Sequence, residues 1–403
     1  MSYVSCPADP DLWLKEQTDR KGRRYYSYIL CYVDDLLVVH HNPRRVMDKI
    51  NSFLPLKPDS VGPPEMYLGA KLKKKTFEDG TTAWGLSPAK YVQQAVRNVE
   101  TYLKTNLDGR YSLPKRGDNP FPVDYAPEED VTPLLEPEVA TYYMQLIGIL
   151  RWMCELGRID ICTEVSMLSS YSAMPREGHL ETALHVFSYL KSRSNSRLIF
   201  DPMEPNVGDS NFVECDWSDF YPGASEALPP NSPKPLGKGV TLRMFVDSDH
   251  AGDKVSRRSR TGFVIFLNYG MIDWLSKKQS TVETSVFGAE FCAMKHGIEN
   301  LRGIRYKLRM MGIPVKGATY VYGDNMSVVT NSSKPESTLK KKSNSICYHA
   351  VREAVAMGEA LVAHIPTKKN LADLFTKVLY GQTRRFLVSR MLWDVFPGED
   401  VPV

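Results

Sequence analysis

Two clusters of proline cut this chain into three stretches long enough to fold. The first, Leu113 to Pro137, carries Pro114, Pro120, Pro122, Pro127, Pro133 and Pro137; the second, Asp201 to Pro235, carries Pro222, Pro229, Pro230, Pro233 and Pro235. Proline fixes φ and removes a backbone donor, so neither a helix nor a sheet ladder is expected to run through such a cluster. Both are expected to be linkers or long surface loops. The 403 residues are 42% hydrophobic and 24% charged, which fits two or three globular domains and not a disordered tail. No run approaches the ~18 apolar residues of a membrane span, and Met1 to Pro10 lack a signal-peptide layout. Seven scattered cysteines with no C-x-x-C pair argue against a disulfide framework or structural zinc, and for a reducing, intracellular setting.

The first stretch reads as α+β. Tyr25 to Val39 is rich in β-branched and aromatic residues and contains Tyr32-Val33-Asp34-Asp35. Short strands follow at Met66–Lys75 and Thr82–Leu86, then a helix over Lys90–Leu103 started by Ser87-Pro88. The second stretch, Pro137 to Phe200, repeats apolar residues at helical spacing through Tyr143, Ile147, Leu150 and Cys154, and again through Leu180, Leu184, Phe187 and Leu190. It carries no catalytic cluster.

The third stretch has the order of an α/β layer fold. A strand at Leu242–Asp247 precedes a hairpin of Gly262–Asn268 and Met271–Leu275, and a long helix covers Thr284–Met311. Then come a strand at Thr319–Tyr322, a helix near Ile346–Gly358, a strand at Ala360–Ile365 and a final helix over Asn370–Tyr380.

Carboxylates carry the chemistry of this third stretch. Asp247 follows Met244-Phe245-Val246 and Asp324 follows Val321-Tyr322-Gly323, so each acid ends an apolar strand. An ionised group held beside a core is costly unless a cation compensates. Phe287, Phe291, Met294, Ile298 and Leu301 form the buried stripe of the long helix, and Glu290 falls on the same side. Asp373 lies in the first turn of the expected last helix, where the macrodipole alone accounts for an acid. Taken together in this order, the four acids fit a pair of Mg²⁺ or Mn²⁺ ions. Net charge is only +4, but basic residues bunch at 71–75, 257–260 and 340–342. A surface that tracks phosphates is expected from Lys73, Lys74, Arg258, Lys277, Lys278, Lys341 and Lys342.

Several motifs then occur in a fixed order. They are Phe245-Val246-Asp247-Ser248-Asp249, Arg258-Ser259-Arg260-Thr261-Gly262, Trp274-Leu275-Ser276-Lys277-Lys278-Gln279, Ala289-Glu290-Phe291, Asp324-Asn325 and Asn370-Leu371-Ala372-Asp373-Leu374-Phe375-Thr376-Lys377. In that order they resemble the ribonuclease H domain of copia-type LTR retrotransposon polyproteins. Upstream, Tyr142 to Gly148, Leu150-Arg151-Trp152 and Ser188 to Lys191 are similar to that family's connecting segment. Tyr32-Val33-Asp34-Asp35 with Tyr67-Leu68-Gly69 is similar to its reverse-transcriptase palm.

The resemblance implies a multidomain α+β and α/β chain. Its expected parts are the carboxy-terminal part of a palm and the start of a thumb (1–112), the proline-rich break (113–137), a helical thumb or connection (138–200), a linker (201–240), a ribonuclease H-like domain with a mixed five-stranded sheet (241–385) and a tail (386–403). It implies metal-dependent cleavage of the RNA strand of RNA:DNA hybrids, with Asp247, Glu290, Asp324 and Asp373 holding two ions. The counterparts of Asp34 and Asp35 bind polymerase metals. A palm needs a further aspartate from an earlier strand, and Asp9, Asp11 and Asp19 do not follow apolar strands. The expectation is therefore a polyprotein fragment with polymerase activity lost, partnered by nucleic acid and by a missing upstream part. The competing expectation is an inactive transposon remnant that folds and binds nucleic acid.

Overall fold

A computed structural model describes residues 1–57, 59–107, 109–115, 117–208, 211–339 and 342–398; Lys341 lies outside them. The first stretch builds two small sheets. Strands β1 (Val4–Cys6), β2 (Asp9–Thr18), β3 (Arg24–Tyr32) and β4 (Asp35–Val39) form an antiparallel meander, backed by helix α1 (Pro43–Asn51). Strands β5 (Met66–Tyr67), β6 (Ala70–Thr76) and β7 (Thr82–Ser87) begin a second sheet ahead of helix α2 (Ala89–Asn106). The meander docks on the far end of the third stretch, where Tyr28 Oη donates to the Met311 carbonyl at 2.8 Å.

Helices α3 (Pro137–Glu155), α4 (Cys162–Ser169) and α5 (Glu177–Ser192) follow. Val92, Val99, Tyr143, Leu150, Leu184 and Phe187 bury the apolar faces of α2, α3 and α5 in one core, as their helical spacing predicts. The stretch then ends in strand β8 (Leu198–Phe200), which pairs antiparallel with β7 and closes the second sheet. The first proline cluster lies across this core, with Phe121 buried in it.

The third stretch contains β9 (Leu242–Asp249), β10 (Arg260–Leu267), β11 (Gly270–Lys278), α6 (Val286–Met310), β12 (Thr319–Gly323), α7 (Met326–Ser333), α8 (Ser345–Ala356), β13 (Ala360–His364) and α9 (Gly381–Ser389). Its mixed sheet has the order β11-β10-β9-β12-β13, antiparallel through the first three strands and parallel from β9 to β13. Period-two alternation splits the strand residues between two layers. Met244, Val246, Phe263, Ile265 and Val321 face Phe291, Met294, Ile298 and Val351 of α6 and α8. Phe245, Val264, Phe266 and Tyr322 face the opposite way, onto Ile159, Leu198, Leu374 and Phe375.

Three expectations are corrected here. No α-helix spans Asn370–Tyr380: a 3₁₀ turn covers Leu371–Phe375 and α9 starts at Gly381. The cause is tertiary. Asn370 caps the turn by accepting from Ala372 N–H at 3.1 Å and donates to the Val246 carbonyl at 3.0 Å, while Thr163 Oγ1 donates to the Leu374 carbonyl at 2.7 Å. These tertiary bonds hold the segment in a tight turn against β9 and α4. Nor do residues 386–398 behave as a tail, because Leu387, Val388, Met391, Leu392 and Val395 are buried against the second face of the sheet. The segment 201–240 is likewise anchored: Trp217 joins the core, and Glu226 pairs with Arg305 at 2.7 Å and Arg309 at 2.8 Å.

Candidate functional site

Parallel pairing of β9 and β12 sets Phe245 opposite Tyr322. Asp247 stands two residues further along β9 and Asp324 just past the end of β12, so the two central strands bring both acids out at the same end of the sheet, about one strand spacing apart. Asp373 arrives from the 3₁₀ turn laid over that end. A carboxylate oxygen from each of Asp247, Asp324 and Asp373 lies within 4.8 Å of the other two. Glu290, in the first turns of α6, is buried beside them and feels the charges of Asp247, Asp324 and Asp373. The first turn of α6 is fixed by Ser285, which caps Gly288 N–H at 3.2 Å, and by Gln279. The Gln279 side-chain amide donates to Thr261 Oγ1 at 3.1 Å and to the Ala289 carbonyl at 3.0 Å.

Crowding of acids sets the electrostatics. Two carboxylates ~4 Å apart repel by roughly 4 kcal/mol at an effective dielectric constant near 20. Burial, then the charges of Asp247 and Asp324, push Glu290 up to about 9. Burial and Asp247 push Asp373 up to about 7. Burial also lifts Asp249 to about 6, although the Arg260 backbone N–H donates to it. With no divalent ion present, the site therefore holds protons at neutral pH. Lys377 supplies the positive charge, with Nζ 3.1 Å from Asp247 Oδ2 and 2.7 Å from Asp373 Oδ1. Burial opposes that ammonium, but the two carboxylates outweigh it and hold it charged. Thr376 Oγ1 donates to the same Asp247 oxygen.

Gly262 makes this geometry possible. It pairs with Asp247 across β10 and β9, and a Cβ there would lie 2.6 Å from Thr376 Cγ2 and 2.8 Å from Phe375 Cβ. The glycine lets the 3₁₀ turn lie flat on the sheet. Gly262→Val is expected to lower stability by about 1–3 kcal/mol through overpacking and to weaken Mn²⁺ uptake. Urea unfolding and an ion titration check it; a variant with wild-type values on both would remove Gly262 from this role.

The other expected binding residues divide. Arg258 and Lys278 line a cavity of about 310 Å³ next to Thr376 and Lys377, with Lys278 held by Asp253 at 2.8 Å. Lys277 is exposed at the end of β11. Exposed Lys342 belongs to a short turn whose Asn344 reaches Glu283 at 3.0 Å, beside the start of α6. Lys73 and Lys74 stand on β6 in the other sheet, Lys74 over the Trp84 ring at 5.0 Å. Asp34 and Asp35 are exposed on the β3–β4 turn, where Val33 takes φ 54°. Among the described residues neither joins a group of three ligand side chains. Arg260, counted among the basic bunches, is buried and donates to Ser166 Oγ at 2.7 Å. Sequence reasoning missed Thr376, Lys377, Asn370 and Thr163 as parts of the site. The first three lie in the motif carrying Asp373, which is the signal that pointed to them.

The carboxylate set passes a test of fit for hard divalent cations: oxygen donors only, convergent, and buried with protons or a lysine as compensation. Among the described residues no helix is long and apolar enough to cross a membrane.

No protein-family model matches the chain. Over 387 residues, 94% of its length, it is 24% identical to the retrovirus-related Pol polyprotein from transposon RE1 of Arabidopsis thaliana. Over 384 residues, again 94%, it is 25% identical to that from transposon TNT 1-94 of Nicotiana tabacum. The chain spans 22% and 25% of the lengths of these two proteins. Among solved structures, it is similar to LC11-RNase H1 in complex with RNA/DNA hybrid, at 18% identity and a TM-score of 0.28, over 34% of this chain and 94% of that one.

Proposed function

We propose, from the premise that this chain is a relative of the copia-type retrotransposon Pol polyproteins, that it cuts the RNA strand of RNA:DNA hybrids. The observation that carries this reading is the convergence of Asp247, Asp324 and Asp373 at one end of the central strands with Glu290 buried beside them. Those four residues would hold two Mg²⁺ or Mn²⁺ ions. When bound, such ions supply an activated water and stabilise the leaving oxygen of an in-line phosphodiester displacement.

The chain's own residues do the rest. Lys278 and Arg258 in the cavity next to Thr376 and Lys377, Lys277 next to them in sequence and Lys342 near α6 present positive charge to the backbones of the two strands. A wide A-form minor groove with 2′-hydroxyls distinguishes the RNA strand. Residues 241–398 are assigned to the ribonuclease H-like unit, 138–200 to a connection and 1–112 to a palm piece and the start of a thumb. Asp34 and Asp35, exposed at the β3–β4 turn, are assigned to the palm piece, and the chain by itself is expected to add no nucleotides.

The test uses purified chain, a labelled RNA:DNA hybrid and Mg²⁺, beside Asp324→Asn and Asp34→Asn. Cleavage by wild type and by Asp34→Asn, with a loss of roughly a hundredfold or more in Asp324→Asn, is the expected result. Equal cleavage by wild type and Asp324→Asn defeats the proposal. Binding of the hybrid without cleavage identifies a folded remnant that only binds.

A further inference from the structure

The gap between Asp247 and Asp373 already contains a cation. Lys377 Nζ reaches one oxygen of each, at 3.1 and 2.7 Å, and those two acids belong to the trio whose oxygens lie within 4.8 Å of one another. A divalent ion bonded to both carboxylates at the ~2.1 Å typical of Mg²⁺ would stand in the same gap. There its +2 charge would repel the ammonium about as strongly as both carboxylates attract it. One of the two cations must leave.

Lys377 can do so. Its side chain is 36% exposed and flexible. Beside it opens the cavity of about 310 Å³, whose walls include Glu128, Asp253 and the ring of Tyr171. That space offers a displaced ammonium the Glu128 carboxylate and, shared with Lys278, that of Asp253, without carrying it far from the site.

We propose that Lys377 is a displaceable internal counter-ion, filling the position between Asp247 and Asp373 in the ion-free chain and expelled into the adjoining cavity when a divalent ion enters. The inference rests on the metal-site reading above and adds the residue with which the ion competes. In the empty site Lys377 keeps converging acids from forcing the strand ends apart. In the loaded site it sets how much divalent ion is needed.

Mn²⁺ titrated into the full chain without nucleic acid, followed by loss of the free-ion EPR signal, tests this. Lys377→Met is expected to bind Mn²⁺ about tenfold more tightly than wild type, since a competing charge is gone; Asp373→Asn, which loses a ligand, binds more weakly. Mn²⁺ binding by Lys377→Met equal to or weaker than wild type overturns the proposal. Should that variant not fold, reductive methylation of wild type read by mass spectrometry decides. Labelling of Lys377 is expected to rise several-fold when Mg²⁺ is added, whereas unchanged or reduced labelling overturns the displacement. A wild type that takes up no Mn²⁺ fails the metal-site reading itself. Wild-type uptake with no gain in Lys377→Met fails only the role of the lysine.

Discussion

Arg384→Met is expected to destabilise the whole chain by about 3–5 kcal/mol, the cost of breaking a buried ion pair. Arg384 lies in α9 and donates from Nη1 to Glu164 Oε1 of α4 at 2.9 Å, and from Nη2 to the Asp160 carbonyl. Asp160 is gripped from its other side by Arg158 at 2.8 and 2.7 Å and by Tyr189 Oη at 2.7 Å. All these side chains are buried, and two guanidinium groups balance two carboxylates. Removing Arg384 leaves Glu164, already pushed up by burial, with no counter-charge. Urea unfolding should show the midpoint fall, and Arg384→Met with Glu164→Leu should recover much of it, because an apolar pair carries no orphaned charge. A loss below about 1 kcal/mol in the single variant would mean that the network contributes little, as surface pairs do.

Glu290→Gln is expected to abolish hybrid cleavage and at the same time steady the ion-free protein at alkaline pH. Loss of a metal-holding carboxylate removes several kcal/mol of transition-state stabilisation, roughly a hundredfold or more in rate. The stability effect has a definite sign. Glu290 is raised from 4.5 to about 9 and Asp373 from 3.8 to about 7, so between those values the folded state binds more protons than the unfolded one. Their contribution is fully present below the unfolded values and is lost as pH rises through 7 for Asp373 and through 9 for Glu290. Ion-free wild type should therefore lose stability from mildly acidic to alkaline pH. Glu290→Gln has no such proton to lose, should show a shallower slope, and should exceed wild type near pH 9. Saturating Mg²⁺ should flatten the wild-type profile. Parallel profiles for the two proteins without Mg²⁺ would show that Glu290 is not the group holding the proton.

The acids Asp247 and Asp324 were legible because each directly follows apolar strand residues, and because all four acids come in one strand and helix order, whereas each alone also reads as a cap or a salt-bridge partner. Glu290 was legible from the helical stripe around it, and an α/β layer fold from the order of strands and helices, while the mixed five-stranded sheet came from the resemblance. Asp373 was found by its motif, but its setting was not. Asn370 to Lys377 has the composition of a helix start, and only contacts from Val246 and Thr163, with the gap at Gly262, turn it into a flattened 3₁₀ segment. Arg384 and Arg260 illustrate a second limit. Each stands in a polar neighbourhood that reads as surface, yet each is buried, because its partner comes from a helix more than ninety residues upstream. Local pattern carries no trace of such partners.

The helical segment and the sheet are joined by the same atoms that position the turn: Thr163 holds the Leu374 carbonyl, Ser166 Oγ donates to the Ser276 carbonyl at 2.7 Å, and Ile159 and Leu198 share a core with Phe375 and Leu392. A chimera grafting a foreign sheet domain after residue 240 would thus inherit sockets with nothing to fill them. No one residue marks where the two halves can be recombined, and descent with exchange of parts would have to carry both together.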